Sequence, residues 1–230
     1  EFKIVTKTPF FSNVQKKIIS RCVIDSFYNS CEKLNIKKLY GWLVHNPNDL
    51  LDEKGEIIWD ELLNLKKKKF IEKIGVSVYN KRQLNGILKK FTIDIVQLPI
   101  SLIDQRFISY GYLRKLKSKG IEIHSRSTFL QGALLMDINE IPNRLIDIKP
   151  SLIQFNNLIK NKNISPLETC LSFINQIDEV DFVICGIQSS DQLSQLINIA
   201  NSTKKLLTKS EIGSCAFNSK NFENIYHLLS

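Results

Sequence analysis

Short apolar runs rich in β-forming residues alternate with longer helical patterns along these 230 residues, which predicts an α/β fold of successive βα units. Two further observations narrow this to a TIM, or (β/α)8, barrel. No G-x-G-x-x-G opens any helix, which argues against a doubly wound dinucleotide sheet. Polar side chains recur at the right edge of each hydrophobic run, where a barrel gathers its functional groups. About six βα units are legible. The chain starts on a strand without an initiator Met, and two more units would add roughly 60–80 residues, so an N-terminal truncation is expected. Residues 1–230 read as one barrel domain, incomplete at the N-terminus, with 203–230 as a tail packing on it.

The strands are expected at Lys3–Thr6, Gly41–His45, Ile74–Ser77, Ile93–Leu98, Ile121–Ser125 and Phe182–Gly186. Most are continuously apolar, as parallel strands covered on both faces should be. A helix is expected over Val14–Leu34, with Ser12 or Asn13 as N-cap and Val14, Ile18, Ile19, Cys22, Val23 and Ser26 on one stripe. Trp59–Phe70, Lys81–Phe91 and Tyr112–Lys119 follow as helices, then Pro142–Ile148 and Pro150–Ile159, each with Pro near its first turn. Ser165–Gln176 opens S-P-L-E, which reads as an N-cap, Pro at N1 and a capping-box Glu168. Ser190–Asn201 is the last regular helix, with a short one over Asn221–Leu229.

Composition excludes several classes. No apolar run approaches the ~18–20 residues that span a bilayer, so no membrane partner is expected. The net charge of +9 raises nucleic acid, but its lysines sit at helix ends, Lys66–Lys69 and Lys115, Lys117 and Lys119, where cations complement the dipole as solvated groups. Without RGG, zinc spacing or an aromatic-basic strand signature, nucleic acid is not expected as a partner. Cys22, Cys31, Cys170, Cys185 and Cys215 form no CxxC and read as reduced core thiols of a cytoplasmic protein, with no metal site.

Chemistry concentrates at the strand ends. Lys7 and His45 close successive strands, so a barrel makes them neighbours at its mouth. A lysine beside a histidine can favour the anionic form of a third group such as a phenol, or the lysine can form a Schiff base. On their own, Lys7 could instead snorkel and His45 could cap the Asn46-Pro47 loop. His124 lies within a strand and His227 in the tail, and both read as structural.

Six motifs in register then resemble the aldo/keto reductase family from the first residue to about Ala200. They are V-T-K at Val5–Lys7, W-L-V-H-N-P at Trp42–Pro47, I-G-V-S at Ile74–Ser77, D-I-V-Q-L-P at Asp94–Pro99, H-S-R-S-T-F-L-Q-G at His124–Gly132 and V-I-C-G-I-Q-S-S-D-Q-L at Val183–Leu193. S-P-L-E-T-C-L-S-F at Ser165–Phe173 adds to them. The resemblance makes these strands the third to eighth of a barrel. It implies NAD(P)H-dependent reduction of an aldehyde or ketone, often sugar-derived, with Lys7 and His45 assisting a proton-donating Tyr. It assigns Ser77 and Gln97 to the nicotinamide carboxamide, Arg126 to stacking in place of an aromatic, and Ser127 and Gly132 to the pyrophosphate. Gly186, Gln188, Ser189 and Gln192 fall at the adenosine ribose and its 2′-phosphate. NADP is implied, with NAD possible because Gln188 is neutral. Val78 stands where many members have Asn. None of the six tyrosines matches the family's donor motif, so this chain alone is expected to turn over poorly. The alternative is a non-catalytic relative acting as a regulatory or redox-sensing subunit. The oligomeric state and the individual substrate are not legible.

Overall fold

The computed structural model describes residues 2–201, 205–217 and 226, except for the side chain of Arg144. Six strands are hydrogen-bonded in chain order: β1 (Val5–Lys7), β2 (Leu39–Val44), β3 (Ile71–Ser77), β4 (Ile95–Pro99), β5 (Glu122–Arg126) and β6 (Phe182–Val183). The pairs β1–β2, β2–β3, β3–β4 and β5–β6 are parallel, as βα units require. The connecting helices are α1 (Ile19–Leu34), α2 (Asn48–Leu51), α3 (Gly55–Lys67), α4 (Lys81–Lys90), α5 (Arg106–Ser109), α6 (Tyr112–Lys117), α7 (Lys149–Lys162), α8 (Pro166–Ile174), α9 (Ser190–Ala200) and α10 (Lys209–Cys215). Two compact units result, one of Glu1–Leu98 with Leu116–Ile123, the other of Pro99–Lys115 with His124–Ser230.

In the first unit, Trp42, Leu43 and Val44 of β2 and Val76 of β3 are fully buried, in keeping with apolar runs that do not alternate. Trp42 meets Phe27 of α1 edge-on, with ring centroids 5.5 Å apart. Ile19, Val23, Phe27 and Cys31 form the buried stripe of α1, one residue per turn. The sequence places this helix start too early. A 3-10 turn at Lys16–Ile18 precedes α1, neither Ser12 nor Asn13 caps it, and Ile18 is exposed. The Ser12 hydroxyl is turned instead to Asp49 Oδ1, at 3.5 Å. Asn35, in the left-handed region, ends α1.

Helix α3 begins at Gly55, earlier than the expected Trp59, and buries Ile58, Trp59, Leu62 and Leu65. Lys66 corrects the reading of 66–69 as a solvated end. Its Nζ donates to both Asp94 oxygens, at 2.7 and 2.6 Å, and Asp94 Oδ2 also accepts from the Ile74 amide at 2.9 Å. A second polar cluster sits near the same strand starts. Glu122 Oε2 accepts from Lys73 Nζ at 2.5 Å and from Tyr40 Oη at 2.6 Å, while the ammonium groups of Lys73 and Lys3 lie 5.0 and 4.8 Å from the Tyr40 ring centroid. Polar ties at this end of a βα fold serve stability, since chemistry belongs to the opposite strand ends.

In the second unit, His124 and Ser125 pair with Phe182 and Val183. His124 is buried in β5 with its ring 5.0 Å from Phe182. β6 is shorter than Phe182–Gly186, because after the Ile184 amide donates to Ser125 O at 2.8 Å the chain leaves the ladder. Pro142–Ile148 is not α-helical but 3-10 over Asn143–Ile148, with Leu145 bent out of helical geometry. The expected capping box is present: Ser165 Oγ accepts from the Glu168 amide, and Glu168 reaches back to the Ser165 amide. All five cysteines are free thiols, but only Cys31, Cys170 and Cys215 are core, with Cys22 and Cys185 half-buried. The expected helix over Asn221–Leu229 and His227 lie outside the described residues, apart from Tyr226.

Candidate active site

Lys7 is the last residue of β1 and stands opposite Leu43, so His45 follows two residues later on the neighbouring strand. The loop leaving Lys7 grips the one leaving β2. The Thr8 amide donates to Leu43 O at 2.9 Å, and the His45 amide donates to Thr8 Oγ1 at 3.2 Å. The Phe10 ring lies 4.7 Å from the His45 imidazole, tilted by 31°. Buried Asp49 then accepts the Phe11 amide at 2.9 Å and Asn46 Nδ2 at 3.3 Å. Buried Lys54 donates to Phe11 O at 2.8 Å and Ser12 O at 3.3 Å. Lys7, ending β1, and His45, just past β2, thus lead into two loops tied together by the Thr8 amide and the Thr8 hydroxyl. Burial pushes the Asp49 carboxyl above its ordinary value, and the Phe11 amide and Lys54 charge only partly pull it back. Sequence reasoning missed Thr8, Asp49 and Lys54. The Asn46-Pro47-Asn48-Asp49 turn was the available signal, with the Asn46 side chain accepting from the Asn48 amide at 3.1 Å.

Ser77 and Gln97 are paired in register on β3 and β4, and both are buried. Val78, also buried, keeps the ladder going by donating its amide to Gln97 O at 2.9 Å. In this unit the structure therefore brings together two of the expected sets, Lys7 with His45 and Ser77 with Gln97.

The second unit carries the remaining residues. Arg126 closes β5 and its Nη1 donates to Ser127 Oγ at 3.3 Å. The chain beyond it is contorted: Ser127, Leu130, Gln131 and Gly132 have φ of 61°, 48°, 52° and 94°. Left-handed non-glycine residues cost energy and cluster at ligand sites, and only Gly132 adopts its φ without penalty. Gly132 has open space around a Cβ position, so conformation rather than crowding requires glycine there. Gly186 lies in the loop after β6, not at a strand end. Gln188, Ser189 and Gln192 form one turn at the start of α9: Ser189 Oγ accepts the Gln192 amide at 3.2 Å, and Gln192 Oε1 accepts the Gln188 amide at 2.8 Å. An exposed helix N-terminus of this kind favours an anion. The left-handed loop at 127–132 and this N-terminus are backbone features that fit a dinucleotide's phosphates.

A further buried cluster in this unit was not legible in the sequence. Asp104, with its carboxyl fully buried, accepts Arg106 Nε at 2.8 Å, Arg106 Nη2 at 2.9 Å and Tyr226 Oη at 2.8 Å. The Tyr226 ring lies 5.6 Å from the Arg126 guanidinium carbon. Burial, then the Asp104 charge, hold the Tyr226 phenol well above its usual pKa, so it stays protonated and donates.

Parallel strands in chain order, with lysine, histidine, serine and glutamine at their C-terminal ends, define a (β/α) barrel-type enzyme fold. The sequence profile of the aldo/keto reductase family matches residues 1–216, and the chain belongs to that family. No curated protein matches it by sequence. Among solved structures it is similar to an aldo-keto reductase from Bacillus halodurans in its apo form, with TM-score 0.70 and 16% identity over 93% of this chain and 70% of that one. The holo form of that protein gives TM-score 0.66 and 19% identity, over 92% and 69%. An aldo-keto reductase from Pseudomonas aeruginosa gives TM-score 0.61 and 15% identity, over 88% of this chain and 65% of that one. The chain thus spans about two thirds of the length of these structures, and at such identities the likeness concerns the fold.

Proposed function

We propose that this chain carries the cofactor-binding and carbonyl-activating strand ends of an NAD(P)H-dependent reductase of aldehydes or ketones, sugar-derived carbonyls included. The observation that carries the reading is Lys7 and His45 at the ends of adjacent parallel strands, with Thr8 bridging them. His45, braced by Phe10, orients the substrate carbonyl oxygen. Lys7 places a positive charge that favours the anion of a proton-donating phenol. The bound nicotinamide cofactor supplies the hydride, and the protein supplies position and electrostatics. Ser77 and Gln97 hold the carboxamide, and Arg126 stacks on the nicotinamide ring. Ser127 and Gly132 pass the pyrophosphate, while Gly186, Gln188, Ser189 and Gln192 hold the adenosine ribose and a 2′-phosphate. NADPH is the preferred form. Without a cation at Gln188 the preference over NADH is modest. The partner is a small carbonyl compound, and free thiols suit a reducing, cytoplasmic setting.

Titration of NADPH and NADH against the 230-residue chain, followed by nicotinamide fluorescence, tests the cofactor half. Loss of nicotinamide absorbance with aldehyde and ketone panels tests the other. Absence of an acid costs about 10²–10⁴-fold, so even slow reduction supports the reading if Lys7→Met abolishes it. A second reading is a non-catalytic relative that serves as a regulatory or redox-sensing subunit. NADPH binding with no carbonyl reduced by any member of the panel favours a regulatory subunit, and no binding at all sinks both.

A further inference from the structure

We propose that Asp49 is a positioning residue which, with Lys54, presents the Phe10 ring as an apolar wall beside His45, and that this wall favours carbonyl compounds carrying an apolar group over small hydroxylated ones. This rests on the reading of His45 as the group that meets the carbonyl. Phe10 is 62% exposed, yet its ring lies 4.7 Å from the half-buried imidazole. Little of that ring is buried, so its place is set by its backbone. The segment Thr8–Phe11 is fixed at both ends. At the first, the Thr8 amide donates to Leu43 O and Thr8 Oγ1 accepts from the His45 amide. At the second, both polar groups of the buried Phe11 backbone are held: the amide donates to Asp49 Oδ2 at 2.9 Å, and the carbonyl accepts from Lys54 Nζ at 2.8 Å and the Val14 amide at 3.0 Å. Asp49 is buried too, and its Oδ1 accepts from Asn46, the residue after His45, at 3.3 Å. Pro9, with φ locked by its ring, stiffens the short span between the anchors.

A ring held next to the imidazole, with most of its surface open, borders whatever reaches the imidazole from solvent. Phenyl offers no hydrogen bond and gains from covering apolar area. A compound whose carbonyl oxygen reaches His45 therefore sets the group it carries near Phe10. An apolar group is favoured there, whereas a hydroxyl sheds water without finding a partner. Asp49 takes no part in this directly. Its carboxyl is engaged by Phe11, Asn46 and Ser12, and it acts on the site through the loop.

The test uses imidazole NMR signals, of which the chain has three, from His45, His124 and His227, with His45 assigned by its loss in His45→Gln. Phe10→Leu removes a ring current and should move the His45 signal while leaving the other two. Asp49→Ala should move it as well, but should add nothing in the Phe10→Leu background if it acts through the ring. Asp49→Asn, which keeps an acceptor for the Phe11 amide, should restore most of the wild-type position. An unmoved His45 in Asp49→Ala, or full additivity in the double variant, would overturn the clamp. Should Asp49→Ala collapse all three signals, Lys54→Met takes its place in the same cycle under the same criterion. The substrate half is read by titrating the chain, with NADP⁺ present, with benzaldehyde and with glycolaldehyde on the His45 signal. Benzaldehyde should bind more tightly on the order of tenfold, and Phe10→Ala should close the gap. Equal affinities in the wild type, or a gap that Phe10→Ala leaves intact, would overturn it. A wild-type signal that neither aldehyde moves would instead count against His45 as the group that meets the carbonyl, with the variant cycle still deciding the clamp.

Discussion

Gly75 tests the packing of the strand pair that carries Ser77 and Gln97. It lies opposite Ile95, and a Cβ built on it would stand 1.9 Å from the Ile95 carbonyl oxygen and 2.7 Å from its carbonyl carbon. Real Cβ contacts do not fall below 3.0 Å, so Gly75→Ala must part the strands by about 1.1 Å. The obstacle is backbone and cannot rotate away. Flanking bonds from the Asp94 amide to Ile74 O, at 2.8 Å, and from the Val78 amide to Gln97 O, at 2.9 Å, would open to about 4 Å and be lost. Two such bonds contribute about 1 kcal/mol each, and overpacking adds about 2 kcal/mol. The stiffer unfolded chain of alanine returns about 0.5–1 kcal/mol. The net loss is about 3 kcal/mol, a large share of a typical stability of about 5–15 kcal/mol. Gly41→Ala is the control. Its Cβ would meet the ends of Ile95 and Val5 side chains at 2.8–3.2 Å, which can rotate, for a cost of about 1 kcal/mol. Both tryptophans, Trp42 and Trp59, lie in the same unit as Gly75, so urea unfolding followed by their fluorescence reports on it. At roughly 2 kcal/mol/M, the midpoint should fall by about 1.5 M for Gly75→Ala and about 0.5 M for Gly41→Ala. Equal shifts, or the larger one at Gly41, would refute the argument that backbone proximity selects glycine at 75.

Three other outcomes follow from polar groups and thiols. Glu122→Ala strands Lys73, whose charge is supported by hydrogen bonds to Glu122 and Tyr40 against the pull of burial. With 30% of the Lys73 side chain in water, the cost should be about 3 kcal/mol in urea unfolding, at the low end for a broken buried pair. Asp49 has a raised folded-state pKa, so the folded chain takes up its proton before the unfolded chain does. The wild type should therefore gain stability relative to Asp49→Asn as pH falls from neutral towards the ordinary carboxylate value of about 3.9; urea midpoints that diverge in the opposite sense count against a buried, destabilised carboxylate. Burial raises the thiols of Cys31, Cys170, Cys185 and Cys215, so a disulfide reagent at neutral pH should label half-buried Cys22 first, read by peptide mass, with the other four following on unfolding.

What was legible depended on how local the determining forces are. Strand runs such as Trp42–Val44 and caps such as Ser165 with Glu168 are set by residues within a few positions of each other, and both stand where the pattern puts them. Strand-end residues were legible because parallel pairing places Lys7 beside the β2 end and Ser77 opposite Gln97 without further information. The start of α1 was not, because its determinant lies elsewhere. Ser12 is drawn from capping by Asp49, 37 residues away, and the helix begins only where Ile19 reaches the core.

Long-range polar contacts carry no period, which is why two of them escaped. The Lys66 ammonium reads as a solvated helix end until Asp94 is found beneath it, 28 positions on. Tyr226 is separated from Asp104 by 122 positions, and no spacing rule connects a tail phenol to an acid between strands. Both cases share a logic. A charged or hydroxyl group placed near the core must find a partner or incur a desolvation cost, and the partner is chosen by the fold rather than by the neighbouring sequence.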